Sequence, residues 1–554
     1  MQYSPIKFLK PAYFCLLLIA TLGIAFYKAD LTTLELIGPL TAVALFCLWF
    51  GVLGKLKQSL VAMFFTLITL QLTNQAKIYY FKSRLFFTDF ILATDGNNLD
   101  TLNQYWEMYI VIAVLIVIIG STLYLFRKNY KYGWRLRIPA LIVFCMMSFG
   151  IYQITLSKDN VLAWQSKLPN GKGVIINVWM TVKGMNYQPP IFEGNSELFL
   201  QKAAGFNVTQ SEQVKPDIVV FLQESTNDRD YFTLGDNNLP KISMFDPTAD
   251  FVSAYGPLRV QTTGGGTWLS EFSFATGLDT NDFADRKHSV FYTVAPHIQT
   301  SFYKELKNNG YYTVLLTPMT KDNYNTRHAY ENFGIDLVLQ PQDLGYDAPM
   351  NNNLWKITSH EMLEYVYQIL EKHSDQPVAV FMLSMNEHGP HNEKSEDKLV
   401  ILPYFEDEKV ARRLNDYLER QADLNKATDD FAQKALGRER PTLFLYFGDH
   451  QPALYGKALK DDLFKNPLYI TQFFMKDNFT GKEILTKGTL MDINFLGGMI
   501  LERINAKVSP YYDANIKMRY LCNGKLEDCE DQELINSYKY YIYQTLEAAS
   551  ANMD

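Results

Sequence analysis

This chain has few cysteines and histidines, and it has no excess of positive charge. Its 554 residues include only five Cys and eight His, and the formal net charge is −7. Proteins that hold nucleic acid by charge need Lys and Arg to neutralise phosphates, so the composition excludes nucleic acid as a partner bound in this way. No His follows His450, which limits histidine ligation beyond that point. Long low-complexity tracts and convincing internal repeats are also absent from the sequence.

Apolar residues are abundant but unevenly distributed. They make up 48% of the chain, yet the mean hydropathy is only −0.11, so the apolar content must be segregated. Within residues 1–156, five apolar segments are each long enough to cross a hydrocarbon core of about 30 Å. They are Pro11–Tyr27, Leu34–Leu53, Leu60–Tyr80, Met108–Phe126 and Ile138–Leu156. We therefore predict a transmembrane domain of five helices, with the first segment retained as an anchor because it lacks a small-residue cleavage site.

Positive charges between these segments orient the predicted bundle. They cluster in three places that share one side of a five-span topology, and the positive-inside rule makes that side cytoplasmic. The charges are Lys7, Lys10, Lys55, Lys57, Arg127, Lys128, Lys131, Arg135 and Arg137. The exceptions on the other side are Lys77, Lys82 and Arg84, which Asp89, Asp95 and Asp100 partly offset. An odd number of spans exports everything after Leu156.

Residues 157–214 are predicted to connect the bundle to an exported domain. Val174–Met180 is apolar and lies between Lys172 and Lys183, a pattern that is favoured at a membrane interface. A helix docked on the globular domain explains the same pattern equally well. Both interpretations stay open at the level of the sequence.

Strand-like and helix-like segments alternate in residues 215–510. Apolar strand-like runs occupy 217–222, 312–316, 378–383 and 442–447, and helix-like segments such as Ile298–Asn309 and Thr358–Lys372 separate them. This alternation predicts a mostly parallel sheet with helices on both faces. Residues 215–510 therefore form one predicted α/β domain.

The tail, residues 511–554, contains a helix-like segment near Asp531–Ala548 and two cysteines. Cys522 and Cys529 are the only cysteines of the exported part. An even pair in an oxidising compartment favours a disulfide over free thiols.

Metal-ligand side chains follow two of the strand-like runs. The run Phe444–Phe447 ends in Gly448-Asp449-His450, and the run 217–222 is followed by Glu224. Active sites of open α/β sheets lie at the carboxyl ends of strands. A carboxylate and an imidazole at one point suit Zn²⁺ or Mn²⁺. A loop salt bridge is the alternative for Asp449 and His450 taken alone, and Glu224 strengthens the metal interpretation.

Thr267 follows three glycines and precedes a predicted short helix, Trp268–Thr276, which Gly277 closes. A helix N-terminus offers free N–H groups to a phosphate. A threonine hydroxyl becomes a nucleophile when a divalent metal lowers its pKa. The segment by itself favours the simpler role of a helix N-cap.

His388, His391 and Arg327 are the remaining candidates. His388 and His391 follow the strand-like run 378–383, where either would bind a transferred phosphate, protonate a leaving group or complete a second metal site. Arg327 would clamp phosphate oxygens. The alternatives are a surface loop with incidental histidines and an arginine on a solvated face.

These motifs together resemble a known family. The chain is similar to the alkaline phosphatase/sulfatase superfamily, in the membrane branch of lipoteichoic acid synthases, phosphoglycerol transferases and phosphoethanolamine transferases. The resemblance covers nearly the whole chain, including five spans, a connector and a sulfatase-like domain. Its most specific parts are Glu224-Ser225, Thr267-x-x-Ser270-Glu271-Phe272, the loop Asn386–Pro390 and Gly448-Asp449-His450.

The resemblance implies a site and a reaction. It implies that Glu224, Thr267, Asp449 and His450 bind one divalent metal, that Thr267 is the nucleophile and that His388 contacts the phosphate. Arg327 lies one residue away from a substrate-binding arginine of lipoteichoic acid synthases when the chains are aligned on Phe333-Gly334. The implied donor is a membrane phospholipid, the implied acceptor is a glycan or lipid, and the implied location is the bacterial inner membrane with the catalytic domain on the periplasmic or extracellular side.

The donor headgroup stays open between glycerol and ethanolamine. Phosphoethanolamine transferases typically carry several disulfides, so the single cysteine pair favours phosphoglycerol, as does Gly448-Asp449-His450-Gln451-Pro452. The sequence His388-Gly389-Pro390 also fits the phosphoethanolamine group.

Three other functions compete with transfer. A true sulfatase needs Cys or Ser in a Cys/Ser-x-Pro-x-Arg context, which Thr267 lacks. A phosphodiesterase that passes the headgroup to water shares the metal site and stays an alternative. A non-catalytic lipid-binding descendant would be expected to have lost metal ligands, and all four are present.

Overall fold

The computed structural model describes most of the chain and divides it into two compact units. The units are Met1–Asn186 and Tyr187–Asp554, so the division falls within the predicted connector. The described residues are 33–81, 84–87, 89–90, 107–125, 127–128, 130–157, 160, 164, 173–182, 187–206, 213–231, 241–350, 352–391, 408–454, 464–481 and 487–551.

The first unit is helical over the residues that the structure describes. Its helices are α1 (Ile37–Leu53), α2 (Leu56–Phe81), α3 (Glu107–Leu125), α4 (Trp134–Leu156) and α5 (Val174–Val182). Three described helical stretches are long and apolar enough to cross a membrane: Leu34–Leu53, Leu56–Ile78 and Trp134–Leu156. They correspond to the second, third and fifth predicted spans. α3 covers most of the fourth, and the first, Pro11–Tyr27, lies outside the described residues.

An arginine of α4 binds the C-terminal end of α1, where the chain turns into α2. Gly54 adopts a left-handed conformation with φ of 68°, and its N–H donates to the Phe50 carbonyl at 2.8 Å. Arg137 of α4 donates its Nε to the Gly51 carbonyl at 2.9 Å and a second nitrogen to the Val52 carbonyl at 2.5 Å. The last carbonyl groups of a helix have no hydrogen-bond partner within it, and an apolar environment offers none. These bonds from Arg137 therefore satisfy carbonyl groups that would otherwise lack a partner.

Contacts within the first unit bear on two features of the sequence. α5 packs on α1, α2 and α4, and its residues Val174, Ile175 and Met180 join their hydrophobic cluster. The position of this segment at a membrane interface stays a prediction. Lys77, one of the exceptions to the charge rule, forms an ion pair with Asp89 at 2.7 Å.

An eight-stranded sheet organises the described part of the second unit, in the order β4-β3-β5-β1-β6-β7-β2-β8. Its neighbours are parallel except that β7 runs antiparallel to both β6 and β2. The sheet is therefore mixed, with a mostly parallel half as predicted. The strands are β1 (Asp217–Gln223), β2 (Val252–Arg259), β3 (Tyr312–Leu316), β4 (Leu337–Leu339), β5 (Val378–Leu383), β6 (Thr442–Gly448), β7 (Ile470–Asp477) and β8 (Met491–Asp492).

Helices cover both faces of this sheet, as the strand–helix alternation predicted. Alternate residues of β1 show this directly, because Ile218 and Val220 belong to one hydrophobic core while Val219 and Phe221 belong to the other. A strand that is buried on both faces reads as a continuous apolar run, which is why β1 was recognisable in the sequence. The helices are α6 (Ser196–Ala203), α7 (Thr267–Thr276), α8 (Val290–Thr293), α9 (Phe302–Asn308), α10 (Thr326–Asn332), α11 (Ser359–Lys372), α12 (Glu408–Leu436), α13 (Leu496–Arg503), α14 (Pro510–Leu521) and α15 (Gln532–Tyr540).

The C-terminal segment belongs to the second unit. Cys522 and Cys529 are joined by a disulfide that closes the loop after α14. Asp528, inside that loop, forms an ion pair with the buried Arg259 at the end of β2. α15 lies within the helix-like segment predicted near Asp531–Ala548 and continues into a short wider turn, Tyr541–Thr545.

Candidate active site

Adjacent parallel strands bring the two acidic candidates to one edge of the sheet. β1 and β6 are neighbours, and Gln223 is paired with Gly448 in their register. Glu224 and Asp449 are the next residues along each strand, so both leave the sheet at the same level. This is the carboxyl edge of the parallel strands, where open α/β sheets hold their active sites.

Gly448 is required by the closeness of the two strand ends. A Cβ atom at this position would lie 1.8 Å from the Thr226 carbonyl oxygen, well inside van der Waals contact. Asp449 then continues the pairing, because its N–H donates to the Gln223 carbonyl at 3.2 Å. The glycine of Gly448-Asp449-His450 thus allows the approach that brings Asp449 beside the β1 end.

Ser225 binds both carboxylates. Its backbone N–H donates to Asp449 Oδ1 at 2.7 Å, and its hydroxyl donates to Glu224 Oε1 at 2.7 Å. Asp449 Oδ1 also accepts from the His450 N–H at 2.7 Å. The residue achieves this with φ of 49°, a left-handed conformation that is unfavourable for a non-glycine residue. Strained backbone of this kind clusters at functional sites, where the surrounding structure maintains it.

The remaining polar atoms of this group fit a divalent metal. Ligand atoms of Glu224, Asp449 and His450 lie within 4.8 Å of one another. His450 Nε2 is 3.3 Å from Asp449 Oδ2 and 3.5 Å from Glu224 Oε1. Asp449 Oδ2 and His450 Nε2 are buried and have no hydrogen-bond partner among the described residues. Buried polar atoms without partners are rare in native proteins, and a cation would satisfy both.

The imidazole of His450 is oriented for ligation. Its Nδ1 lies 2.9 Å from the Gln451 carbonyl oxygen. A carbonyl oxygen can only accept, so Nδ1 carries the proton and Nε2 presents its lone pair to the carboxylates. A second hydrogen bond that fixes the tautomer in this way is the usual arrangement for a metal-binding histidine.

The pKa values of the two carboxyl groups are shifted in opposite directions. Burial acts to raise the pKa of Glu224, but the electrostatic interactions with the His450 and His388 side chains and the hydrogen bond from Ser225 more than offset it, so the pKa is lowered overall. Burial, and then the Glu224 charge, raise the pKa of Asp449. A cation between the two groups would relieve this repulsion.

Thr267 lies beside this group. Its hydroxyl oxygen, Oγ1, lies 3.3 Å from Glu224 Oε2. It is the first residue of α7, and Gly266, with φ of 83°, occupies the N-cap position. The N-cap role that the segment alone favoured for Thr267 is therefore wrong, because the side chain is aimed at Glu224 rather than at the helix backbone. Ser270, one turn later, donates to the Asp449 carbonyl at 2.6 Å and ties α7 to the β6 end.

A family model described as Sulfatase matches residues 216–502. The chain belongs to the sulfatase family. The matched range begins at β1 and ends within α13, so it contains all four residues of the candidate metal centre. An uncharacterized protein of Haemophilus influenzae is 36% identical over 494 residues, which is 87% of this chain and 89% of that protein.

Two further relatives have descriptive names. Lipoteichoic acid synthase-like YvgJ of Bacillus subtilis is 27% identical over 192 residues, covering 34% of this chain and 30% of that protein. The solved structure of phosphoglycerol transferase GacH of Streptococcus pyogenes, in complex with sn-glycerol-1-phosphate, superimposes with a TM-score of 0.51 at 19% identity. It covers 63% of this chain and 91% of that chain, and at this identity the likeness establishes the fold alone.

His388 lies in the loop after β5, the strand that is paired with β1. The start of this loop is beside Glu224, because the Glu224 N–H donates to the Ser384 hydroxyl at 3.0 Å, and the electrostatic interaction with His388 is one cause of the lowered pKa of Glu224. His388 Nδ1 donates to the Gly389 carbonyl, so Nε2 is the nitrogen available to a ligand. The ring is half-buried and contacts Trp355 at 5.0 Å between centroids. This placement is compatible with the predicted contact to a phosphate.

His391 is committed to packing. Its side chain is buried, its Nε2 donates to the Glu387 carbonyl at 2.9 Å, and its ring meets Tyr417 edge to face at 5.4 Å. Burial lowers the pKa of His391 to about 4, so the ring is neutral near pH 7. These contacts give the ring a role in holding the loop after β5, and its predicted substrate contact remains a prediction.

Arg327 forms an ion pair with a nearby aspartate. Its Nε lies 3.1 Å from Asp322 Oδ1, and both side chains are exposed. The preceding loop does reach α7, because Tyr324 stacks on Trp268 with centroids 4.6 Å apart. Tyr324 has φ of 51° and Asn325 has φ of 64°, so this contact is also made by strained backbone. A substrate role for Arg327 stays a prediction.

The sequence motifs contained further residues whose roles were not recognised. Ser225 follows Glu224 directly, and its position beside a predicted ligand was a usable signal. Glu387 precedes His388, and burial raises its pKa to about 7. It accepts a hydrogen bond from the Ser359 hydroxyl at 3.2 Å. Arg420 of α12 binds carbonyl groups of the same loop. It had no signal in the sequence, because it is one of many charged residues on a long amphipathic helix.

Proposed function

We propose that this protein transfers the phosphodiester headgroup of a membrane phospholipid, with phosphoglycerol preferred, to a glycan or lipid acceptor of the cell envelope through a phosphothreonine at Thr267. The observation that carries the proposal is the position of the Thr267 hydroxyl, 3.3 Å from Glu224 Oε2 and beside the buried polar atoms of Asp449 and His450. Thr267 begins a helix, so the N–H groups of its first turn also face an incoming phosphate.

The residues support a two-step exchange. Thr267 Oγ1 forms a bond to phosphorus while the bond from phosphorus to the diacylglycerol oxygen breaks, and the hydroxyl proton passes by way of Glu224 Oε2 to that leaving oxygen. An acceptor hydroxyl then forms a bond to phosphorus while the bond from phosphorus to Thr267 Oγ1 breaks, and the acceptor proton passes to Thr267 Oγ1. A divalent ion, Zn²⁺ or Mn²⁺, held by Glu224, Thr267, Asp449 and His450 would lower the pKa of the threonine hydroxyl and neutralise charge on the phosphate oxygens. His388 Nε2 would hydrogen-bond to the transferred group.

The apolar helices of the first unit suit a lipid donor. A chain that is anchored in the bilayer by its own helices meets phospholipid headgroups at a high effective concentration. The charge distribution favours an inner-membrane protein with the catalytic unit on the periplasmic or extracellular side. The disulfide between Cys522 and Cys529 suits that compartment.

The phosphoglycerol preference is supported by the single cysteine pair of the exported part and by the sequence Gly448-Asp449-His450-Gln451-Pro452. Phosphoethanolamine transfer to lipopolysaccharide or another glycan is the second candidate, favoured by the loop His388-Gly389-Pro390. A phosphodiesterase in which water replaces the acceptor uses the same residues.

Intact-mass spectrometry with peptide mapping across Thr267 tests the proposal. The purified protein, loaded with Zn²⁺ or Mn²⁺, is incubated with phosphatidylglycerol or with phosphatidylethanolamine. We expect a glycerol-phosphate adduct on Thr267 with the first lipid and no adduct in Thr267→Ala. An ethanolamine-phosphate adduct would select the second candidate, and lipid turnover without any adduct in a rapidly quenched sample would contradict the covalent route.

A further inference from the structure

One face of α12 contacts the two loops that carry site residues after β1 and β5. Tyr417 donates its hydroxyl to Asn227 Oδ1 at 3.2 Å, and Gln421 donates its side-chain amide to the Asn227 carbonyl at 2.6 Å. Asn227 lies three residues after Glu224. The same helix face also reaches the loop that contains His388, through Arg420.

Arg420 binds the backbone on both sides of Glu387. One guanidinium nitrogen donates to the Asn386 carbonyl at 3.0 Å and to the His388 carbonyl at 3.1 Å. Two carbonyl groups held by one nitrogen fix the backbone of the three residues that end in His388. Hydrogen bonds from a charged donor contribute more than neutral ones, so this contact is a strong restraint on the loop.

Asp416 fixes the guanidinium from its other side. Arg420 Nε donates to Asp416 Oδ1 at 2.8 Å, and a terminal nitrogen donates to Oδ2 at 3.2 Å. The side chains are only 16% and 5% exposed, respectively. A two-point contact with a buried carboxylate leaves the planar group one orientation, and in that orientation its remaining donors face the loop.

The direction of the His388 ring follows from this restraint. Its Nδ1 donates to the Gly389 carbonyl, so the ring is bound to the same stretch of backbone that Arg420 holds. Trp355 packs against one side of the ring. Because the ring is attached to local backbone, a movement of the loop moves Nε2 with it.

We propose that Arg420 is a positioning residue for the reaction, and that it places His388 Nε2 at the sheet edge while Asp416 orients the guanidinium. This inference rests on the proposed phosphodiester chemistry of Thr267 and His388. Among the described residues, Arg420 forms no hydrogen bond or ion pair with Thr267 or with the candidate metal ligands. It acts through the loop backbone.

The substitution Arg420→Lys tests the proposal in the full-length protein in detergent with Mn²⁺ or Zn²⁺ and bis(p-nitrophenyl) phosphate. Lysine keeps the charge but cannot present a planar fork to Asp416 and the carbonyl groups together. A misplacement of about 1 Å in a reacting group costs on the order of 100-fold in rate, so we expect kcat to fall about 10- to 100-fold with KM changed about twofold or less.

A double-mutant cycle separates positioning from general stability. In a His388→Ala background, Arg420→Lys should lower kcat by about twofold or less, because residues that act as a unit are not additive. Arg503→Lys is a matched control, since Arg503 forms the same two-point contact with buried Asp477 at 2.7 and 3.0 Å and also donates to a carbonyl, that of Phe479. Arg503 is the last residue of α13 and lies outside the candidate site. The effect of Arg503→Lys on kcat should therefore be the same with and without His388→Ala.

Hydrogen–deuterium exchange provides a readout that needs no activity. Arg420→Lys should raise exchange in peptides spanning 384–391, and Arg503→Lys should not. Unchanged exchange in that loop, or full additivity of Arg420→Lys with His388→Ala, would overturn the positioning role. A metal-loaded wild-type protein without diesterase activity would instead overturn the proposed function, and with it any catalytic meaning of the restraint.

Discussion

Ser225 donates its backbone N–H to Asp449 Oδ1 at 2.7 Å while its own hydroxyl holds Glu224 Oε1 at the same distance. One residue thereby fixes the separation of two carboxylates that come from different strands. The arrangement requires φ of 49°, so the backbone is held in an unfavourable conformation for the sake of these two bonds. The geometry of the candidate metal centre therefore depends on a residue that binds no metal.

Removing the Ser225 hydroxyl should weaken metal binding without removing a ligand. Ser225→Ala and Ser225→Gly both lose the bond to Glu224, and the loss of such a supporting contact typically costs about 10- to 100-fold in metal affinity. Glycine relieves the strain at positive φ, so Ser225→Gly should be about 1 kcal/mol more stable than Ser225→Ala. Chelator-competition titrations and thermal melts measure the two effects. Wild-type affinity in both variants would show that the hydroxyl does not hold Glu224.

Metal removal should lower stability as well as activity. Without a cation, Asp449 Oδ2 and His450 Nε2 keep no partner among the described residues, and Glu224 and Asp449 repel each other. Binding to the native state alone stabilises a protein by about 2.7 kcal/mol at a ligand concentration 100 times Kd. We expect dialysis against a chelator to lower the Tm and Zn²⁺ or Mn²⁺ to restore it. An Asp449→Asn variant, which loses a ligand charge, should show a smaller recovery, and an unchanged Tm after complete metal removal would argue against the site.

Glu271 should make stability depend on pH in one direction. It is buried beside Tyr330, whose hydroxyl donates to Glu271 Oε2 at 2.6 Å, and burial raises its pKa from 4.5 to about 7. Between those values the native state keeps a proton that the unfolded state has lost, so the free energy of unfolding falls as pH rises through this window. A shift of this size corresponds to roughly 3 kcal/mol.

Glu271→Gln isolates this effect, because the amide oxygen still accepts from Tyr330 and the group does not ionise. The difference in unfolding free energy between variant and wild type should move in favour of the variant from pH 5 to pH 8, measured by denaturant titration. Asp531→Asn, at the half-exposed N-cap of α15, serves as a control. Its difference in unfolding free energy from wild type should stay constant from pH 5 to pH 8. A constant difference for Glu271→Gln across the range would mean that Glu271 is ionised throughout.

Removing the first unit should preserve activity on a soluble substrate and impair activity on a lipid in a bilayer. A fragment of residues 187–554 matches the second unit and omits α5, which packs on the N-terminal helices. We expect it to hydrolyse bis(p-nitrophenyl) phosphate at a rate close to that of the full chain and to use phosphatidylglycerol in vesicles much more slowly. The fragment and the full chain are both assayed on both substrates, so a folding defect in the fragment would appear as a loss of bis(p-nitrophenyl) phosphate hydrolysis. Equal rates on vesicles would contradict the tethering argument.

The parts of the fold that the sequence predicted are those with a single clear pattern. β1, β3, β5 and β6 are continuous apolar runs, and each lies within a residue or two of its predicted bounds. β7 was missed because Ile470–Asp477 mixes aromatic residues with Thr471, Lys476 and Asp477, although all of it is buried. The polar members are satisfied by distant partners, such as Arg503 for Asp477 at 2.7 Å, and no local pattern reveals such partners.

The candidate site shows the same division. The clustering of Glu224, Asp449 and His450 was predictable because residues of types that can ligate a metal followed recognisable strands. The helix start at Thr267 was misplaced by one residue, and the conformation of Gly266, which a sequence does not display, decides it. Arg420 was beyond prediction because it binds carbonyl groups of the main chain, which every residue has.

Gly448 gives the strand-end motif a meaning apart from its chemistry. Since a methyl group there would collide with the Thr226 carbonyl, an alanine in a related chain would force the ends of β1 and β6 apart. The glycine therefore sets the spacing of the strands, independently of what Asp449 and His450 bind. A homologue with the glycine but with other residues in place of Asp449 and His450 would retain this architecture as a scaffold for different chemistry. A homologue with the Asp and His but without the glycine would hold them at another separation from the end of β1.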